Sequence, residues 1–255
     1  MSAVIQIRTM KLGEGIPKIC IPLTDKTTEG LAQSLRDLNG IPFDFAEWRA
    51  DFFDGIEQPG KRLEALRCLR DGLGEHPLLF TLRTSAEMGM ANIHTDQYMA
   101  INRSVVDSGL ADIIDIELSQ GEQAFCTLVQ YAHEADVRVI ASCHNFCSTP
   151  DRETIVETMR LMQKLGADVA KYAVMPKCSR DVLTLLDATL TMREIYPETP
   201  VITMSMGAQG AVSRVCGSIF GSCATFGTAG KASAPGQLPA ADLARFLELL
   251  HPSHS

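Results

Sequence analysis

The sequence predicts an α/β protein, a (β/α)8 TIM barrel with an N-terminal strand or hairpin closing the barrel floor. Three observations carry this. Eight short apolar runs alternate with longer amphipathic ones at a spacing of roughly 25 to 35 residues. Most of the short runs are continuously apolar, as expected of parallel strands buried on both faces. The chain of 255 residues suits such a barrel, and no linker-like or low-complexity stretch divides it, so residues 1–255 read as one domain. A Rossmann-like open sheet is the second reading. No Gly-x-Gly-x-x-Gly follows the first strand, which weakens its dinucleotide-binding version.

The elements follow in order. "SAVIQIRTMKLGEG" alternates and then meets a Gly-x-Gly turn, which suggests the extra strand or hairpin. The barrel strands are "KICIPL", "FDFAEWRAD", "PLLFTLRT", "DIIDIEL", "RVIASCHNF", "DVAKYAVMP", "PVITMSM" and "SCATFGT". Among the helices between them, "KRLEALRCLRDGL", "EQAFCTLVQYAHEAD", "RETIVETMRLMQKLG" and "SRDVLTLLDATLTMREIY" repeat apolar residues three and four apart. Asp151 behind Pro150 gives one helix a start signal, and Ser179 with Asp181 gives another. "PAADLARFLELL" closes the chain as a last amphipathic helix.

Composition narrows the function. Apolar residues at 45% and charged residues at 21% are those of a chain that folds throughout. The net charge of −8, without a Lys/Arg-rich run, argues against nucleic acid or an anionic membrane as partner. The N-terminus lacks a secretory apolar core and no run of about 18 apolar residues follows, so a cytoplasmic protein is expected. The eight cysteines are scattered, without paired short spacings, and read as reduced thiols. Cys143, His144 and Cys147 lack a second ligand pair at zinc spacing, so no metal site is expected.

In a barrel of this kind the chemistry stands at the C-terminal ends of the strands. Those ends carry Glu47 and Arg49, Arg83, Asp115 and Glu117, His144, Lys171, and Met204 with Met206. Lys171 sits inside the apolar run "GADVAKYAVMP". An ammonium buried there is costly unless paired, and dry surroundings with nearby cations favour the neutral, nucleophilic amine. Such an amine attacks a ketone to form an imine, an electron sink for the adjacent carbon. His144, one strand earlier, is placed to remove a proton alpha to that imine and later deliver it to a leaving hydroxyl. Glu87, in the loop after the third barrel strand, can orient the imidazole. Arg214, near the seventh, can clamp a carboxylate. The loop "FGTAGKASAPGQLP" offers Lys231, Ser233 and Gln237, either as a lid or as a glycine cradle for phosphate. The competing account of all these charges is an ion-pair network that only neutralises itself.

The ordered segments "EWRAD", "TLRTSAEMG", "DIELS", "ASCHNF", "VAKYAVMP", "TMSMGAQGAVSR" and "SAPGQLP" resemble the type I 3-dehydroquinate dehydratase family through nearly the whole chain. The resemblance implies a hydro-lyase of the shikimate pathway, which serves aromatic amino acid biosynthesis. It carries out syn elimination of water from 3-dehydroquinate to give 3-dehydroshikimate, with neither metal nor organic cofactor. It implies a Schiff base on Lys171, His144 as general base and acid, Glu87 orienting His144, and Arg214 on the substrate carboxylate. It further implies that Glu47, Arg49, Arg83, Ser233 and Gln237 contact substrate hydroxyls or hold those contacts. Met204, Met206 and Phe226 would form apolar walls, and a homodimer is expected. Pro22 is a departure, standing where relatives commonly carry serine. Two rivals remain at this level: a class I aldolase acting on a sugar phosphate, and a silent binder of a small hydroxy acid.

Overall fold

The computed structural model describes residues 3–230 and 234–251. It opens with an antiparallel hairpin of β1 (Ile5–Ile7) and β2 (Met10–Leu12), registered Ile5↔Leu12 and Ile7↔Met10. The Gly-x-Gly is not its turn. Arg8 and Thr9 make the turn, with Arg8 in the left-handed region at φ 51°, as two-residue hairpin loops require. Gly13 and Gly15 follow β2 instead, and lead into the barrel.

Eight parallel strands then run in order: β3 (Lys18–Leu23), β4 (Phe45–Arg49), β5 (Leu78–Thr81), β6 (Ile113–Glu117), β7 (Arg138–Asn145), β8 (Val169–Val174), β9 (Val201–Ser205) and β10 (Ala224–Phe226). β10 pairs back onto β3, and a parallel bridge from Val201 to Ser222 spans the remaining seam, so the barrel nearly closes. The helices outside are α1 (Thr28–Asp37), α2 (Pro59–Leu73), α3 (Thr95–Ser108), α4 (Glu122–Glu134), α5 (Arg152–Lys164), α6 (Ser179–Ile195), the short α7 (Gly217–Phe220) and α8 (Ala240–Leu250). None is long and apolar enough to cross a membrane.

Asp151 caps α5 as its sequence suggests, accepting from the Thr154 N–H. At α6 the cap is Cys178 rather than Ser179. The Asp181 carboxylate accepts the Lys177 and Cys178 amides, so the capping box forms one residue earlier.

Strand alternation sets the positions of everything functional. Ile21, Trp48, Phe80, Ile114, Val139, Tyr172 and Val201 point outward, into the layer shared with Leu66, Val105, Leu128, Ile155 and Leu185 of the helices. The inward set begins at the floor with Cys20, Phe45, Leu79, Ile113, Ile140, Val169 and Ile202, packed on Ile7, Met10 and Leu12 of the hairpin. Two residues farther along the same strand faces come Pro22, Glu47, Thr81, Asp115, Ser142, Lys171 and Met204. The interior therefore changes from an apolar plug to a polar layer within one strand repeat. Each large apolar side chain in the plug stabilises the fold by about 1.5–3 kcal/mol, which makes a rigid base for that layer.

Candidate active site

A cavity of about 350 Å³ opens at the C-terminal ends of the strands. Glu47 and Arg49 of β4, Lys171 of β8, His144 of β7, Met204 of β9 and Phe226 of β10 all line it. So do Arg83, Glu87, Met206, Arg214 and Gln237 from the loops beyond the strands. The fold thus brings the sequence-predicted residues to one mouth. Ser233 and Lys231 lie outside the described residues. Pro22 borders a second, adjoining cavity rather than this one, and Phe52 is shared by both.

Lys171 is 3% exposed. Its Nζ lies 3.4 Å from Asp115 Oδ2 and 3.6 Å from Glu47 Oε1, and 4.4 Å above the centre of the Phe226 ring. This corrects the expectation of nearby cations: the charged groups within ion-pair distance are two carboxylates. The reason is strand parity, which puts Glu47, Asp115 and Lys171 in one interior layer. Thr81 Oγ1 donates to Glu47 at 2.9 Å, and Ser142 Oγ donates to Asp115 at 2.6 Å, so both acids are held by hydroxyls of that layer.

His144 Nδ1 is 2.7 Å from Glu87 Oε2. Glu87 reaches it from a 3-10 turn, Ser85–Glu87, that ends with Met88 in the left-handed region. Gly89 makes that turn possible, because a Cβ there would lie 2.1 Å from Arg83 O. Burial pushes the Glu87 carboxyl up to about 8, against the opposing pull of the Arg83 guanidinium. Burial, followed by the cations Arg83, Lys171 and Arg49, holds His144 well below the usual imidazole range. Both directions favour the neutral forms of this hydrogen-bonded pair. Phe146 stacks beside it at 6.1 Å.

Arg83 is the hub of the acidic side. Nη2 donates to Asp115 at 2.9 Å, and Nη1 donates to Glu117 at 3.0 Å, Ser142 at 2.9 Å and Glu87 at 3.3 Å. Asp115, Glu117 and Glu87 raise its affinity for its proton beyond the usual range, and more than offset its burial. Those bonds make Arg83 the brace of these acids, on the wall of the cavity. Arg49 forms a two-bond pair with Asp51, at 2.8 and 2.9 Å, and lies over the Phe52 ring.

Arg214 is different. It is 1% exposed, at the end of a 3-10 turn, Ala211–Arg214. Gly210 lets that turn press on β9, since a Cβ there would be 2.1 Å from Ser205 O. The guanidinium donates to Phe226 O at 3.4 Å and Pro235 O at 3.1 Å, and lies 3.8 Å from Met204 Sδ. No carboxylate pairs with it among the described residues, its Nε is buried without a partner there, and burial alone pushes it down to about 10. A buried cation among neutral groups is complementary to an anionic ligand.

A buried lysine, an imidazole paired with a carboxyl group and a guanidinium without a carboxylate partner among the described residues thus surround one small cavity. The model of the family described as type I 3-dehydroquinase matches residues 19–254. This chain belongs to the type I 3-dehydroquinase family. The 3-dehydroquinate dehydratase of Bacillus licheniformis is 46% identical over 251 residues, covering 98% of this chain and 99% of the relative. That of Salmonella agona is 46% identical over 247 residues, covering 97% and 98%. A solved type I 3-dehydroquinate dehydratase from Clostridium difficile superposes with a TM-score of 0.95 at 43% identity, covering 98% of each chain. For the Geobacillus kaustophilus 3-dehydroquinate dehydratase the TM-score is 0.94 at 36% identity, again covering 98% of each. Two sugar-phosphate enzymes superpose with TM-scores of 0.58 and 0.60 at 16% and 15% identity, which shows the shared barrel alone. Family membership thus selects the dehydratase over the aldolase.

Sequence reasoning named Asp115 and Glu117 as polar strand ends but gave them no part in the site. It did not single out Thr81, Ser142, Phe52, Met88 or Phe146. Thr81 and Ser142 were within reach of period-two reasoning, each standing two residues before a residue of the site on the same strand path. Phe146, two residues after His144, was within the same reach, whereas Phe52 and Met88 leave no such signal because they stand on the connections beyond the strands.

Proposed function

We propose that this family member removes water from 3-dehydroquinate through an imine on Lys171, with His144 moving the proton. The observation that carries the reading is the unpaired Arg214 guanidinium, on the same cavity as the Lys171 amine and the His144–Glu87 pair. Arg214 would hold the substrate carboxylate and so set the ketone at Lys171. The Lys171 amine adds to the carbonyl carbon, and the resulting carbinolamine loses water to give an iminium. His144 then takes the adjacent proton, and the electron pair of that C–H bond moves into the iminium to form an enamine. The enamine expels the β-hydroxyl, which leaves as water with the proton from His144. Hydrolysis of the conjugated iminium returns Lys171 and releases 3-dehydroshikimate. Asp115 and Glu47 stay beside the nitrogen while it carries positive charge. Glu87 steadies the imidazole, and Met204, Met206 and Phe226 form the apolar walls, with Arg49, Gln237 and Ser233 serving substrate hydroxyls.

The solved Clostridium difficile relative carries covalently modified comenic acid, which is in keeping with a nucleophile in this family's site. The decisive experiment is borohydride reduction during turnover, followed by peptide mass spectrometry. A stable adduct on Lys171 is expected, and Lys171→Ala should lose both adduct and turnover. His144→Ala should keep the adduct while turnover falls by about 10²–10⁴-fold. Turnover by Lys171→Ala at the normal rate would overturn the imine. The reading also includes a cytoplasmic homodimer, for which light scattering on the purified protein is the direct check of assembly.

A further inference from the structure

Tyr98 lies on α3, outside the cavity, and is fully buried. Its hydroxyl donates to Asp115 O at 3.1 Å and accepts the Glu117 N–H at 3.2 Å. These are backbone groups of β6 on the side facing β5. The β5–β6 pairing runs Leu79↔Ile113, Phe80↔Ile114, Thr81↔Asp115 and stops there. A continued β5 would satisfy the Glu117 amide one step farther on, and the phenol takes that place. An unmet amide at this depth would be costly. With the amide met by a side chain, the chain after Thr81 is released from the ladder and can turn.

What turns is the working part of the site. Arg83 swings onto Asp115 and Glu117, the two residues whose backbone Tyr98 grips. The next residue locks the bend, as Thr84 N and Thr84 Oγ1 both donate to the Glu117 carboxylate, at 2.8 and 2.6 Å. Arg83 then meets Glu87, which meets His144. We infer that Tyr98 is a positioning residue for proton transfer: its hydroxyl ends the β5–β6 ladder early and fixes the carboxylates that aim Arg83, Glu87 and His144. This rests on the reading that His144 moves the proton.

Tyr98→Phe removes the hydroxyl and keeps the ring. We expect kcat to fall by about 10- to 100-fold, because small displacements of a positioned catalytic group cost that much. KM should stay within about threefold, since Arg214 is untouched. The isotope effect with substrate deuterated at the carbon losing its proton should grow. A folded variant with normal kcat, KM and isotope effect, and only a lower Tm, overturns the inference. If the variant does not fold, amide exchange in the unaltered protein decides. Exchange at Glu117 as slow as at Ile114 supports the hydroxyl's place in the ladder, and fast exchange there overturns it. Borohydride trapping on unaltered protein reads the imine separately, so a missing Lys171 adduct would fail the mechanism without touching the Tyr98 comparison.

Discussion

Arg83 and Arg214 are both buried arginines on one cavity, yet their surroundings are opposite. Arg83 is met by Asp115, Glu117 and Glu87, so the protein itself supplies its counter-charge. Arg214 meets two backbone carbonyls and a thioether. The first arrangement is complete without a ligand, whereas the second leaves a cation whose desolvation the protein does not repay. A buried charge is therefore not evidence of binding by itself. What separates frame from binding group is whether the protein supplies the counter-charge.

The sharpest way to break this contrast is to remove each guanidinium. Arg83→Ala leaves the buried acids Asp115, Glu117 and Glu87 facing one another, and loss of one partner from such a cluster typically costs about 3–5 kcal/mol. Urea unfolding should show that loss, with activity falling alongside. A stability change under about 1 kcal/mol would mean that Arg83 is not the frame. Arg214→Met should do the reverse. Stability should hold within about 1 kcal/mol, because an apolar chain replaces an uncompensated ion. Binding should weaken, with KM rising about 10- to 100-fold for a lost charged hydrogen bond of about 1.5–3 kcal/mol. An unchanged KM would place the substrate carboxylate elsewhere.

The same contrast explains what the sequence could reveal. The barrel was legible because eight short, mostly continuous apolar runs alternate with amphipathic ones, so each run reports the same architecture. Lys171, His144, Glu47 and Arg49 were legible because each interrupts or closes an apolar strand run, where a polar residue is conspicuous. Whether an arginine is paired was not legible. Arg83 and Arg214 look alike in the sequence, and their difference depends on Glu117 lying 34 residues beyond one and no acid among the described residues reaching the other. Tyr98 was invisible for a related reason. On α3 it is one apolar-face residue among Ile101, Val105 and Val106, and only the early end of β5 gives its hydroxyl a task. The misplaced hairpin turn has a local cause: the glycines were the strongest turn signal in the segment, but the alternating Ile5, Ile7, Met10 and Leu12 need the reversal at Arg8 and Thr9 to face one way.

The smallest effect concerns the border between the two arginines' surroundings, where Glu87 touches both Arg83 and His144. Its carboxyl is pushed up to about 8 in the fold, chiefly by burial, against about 4.3 in an unfolded chain. Between those values the folded protein holds a proton that the unfolded chain has released. The contribution of Glu87 to stability is therefore full below about pH 4.3 and is lost as pH rises through about 8. Glu87→Gln carries a neutral amide at every pH and cannot show that loss. The stability of the variant relative to the unaltered protein, measured by urea unfolding, should thus improve from pH 5 to pH 8. His144 is present in both proteins, so its own titration largely drops out of the difference. A flat difference would mean that Arg83 keeps Glu87 ionised throughout, which would move the acid into the compensated frame.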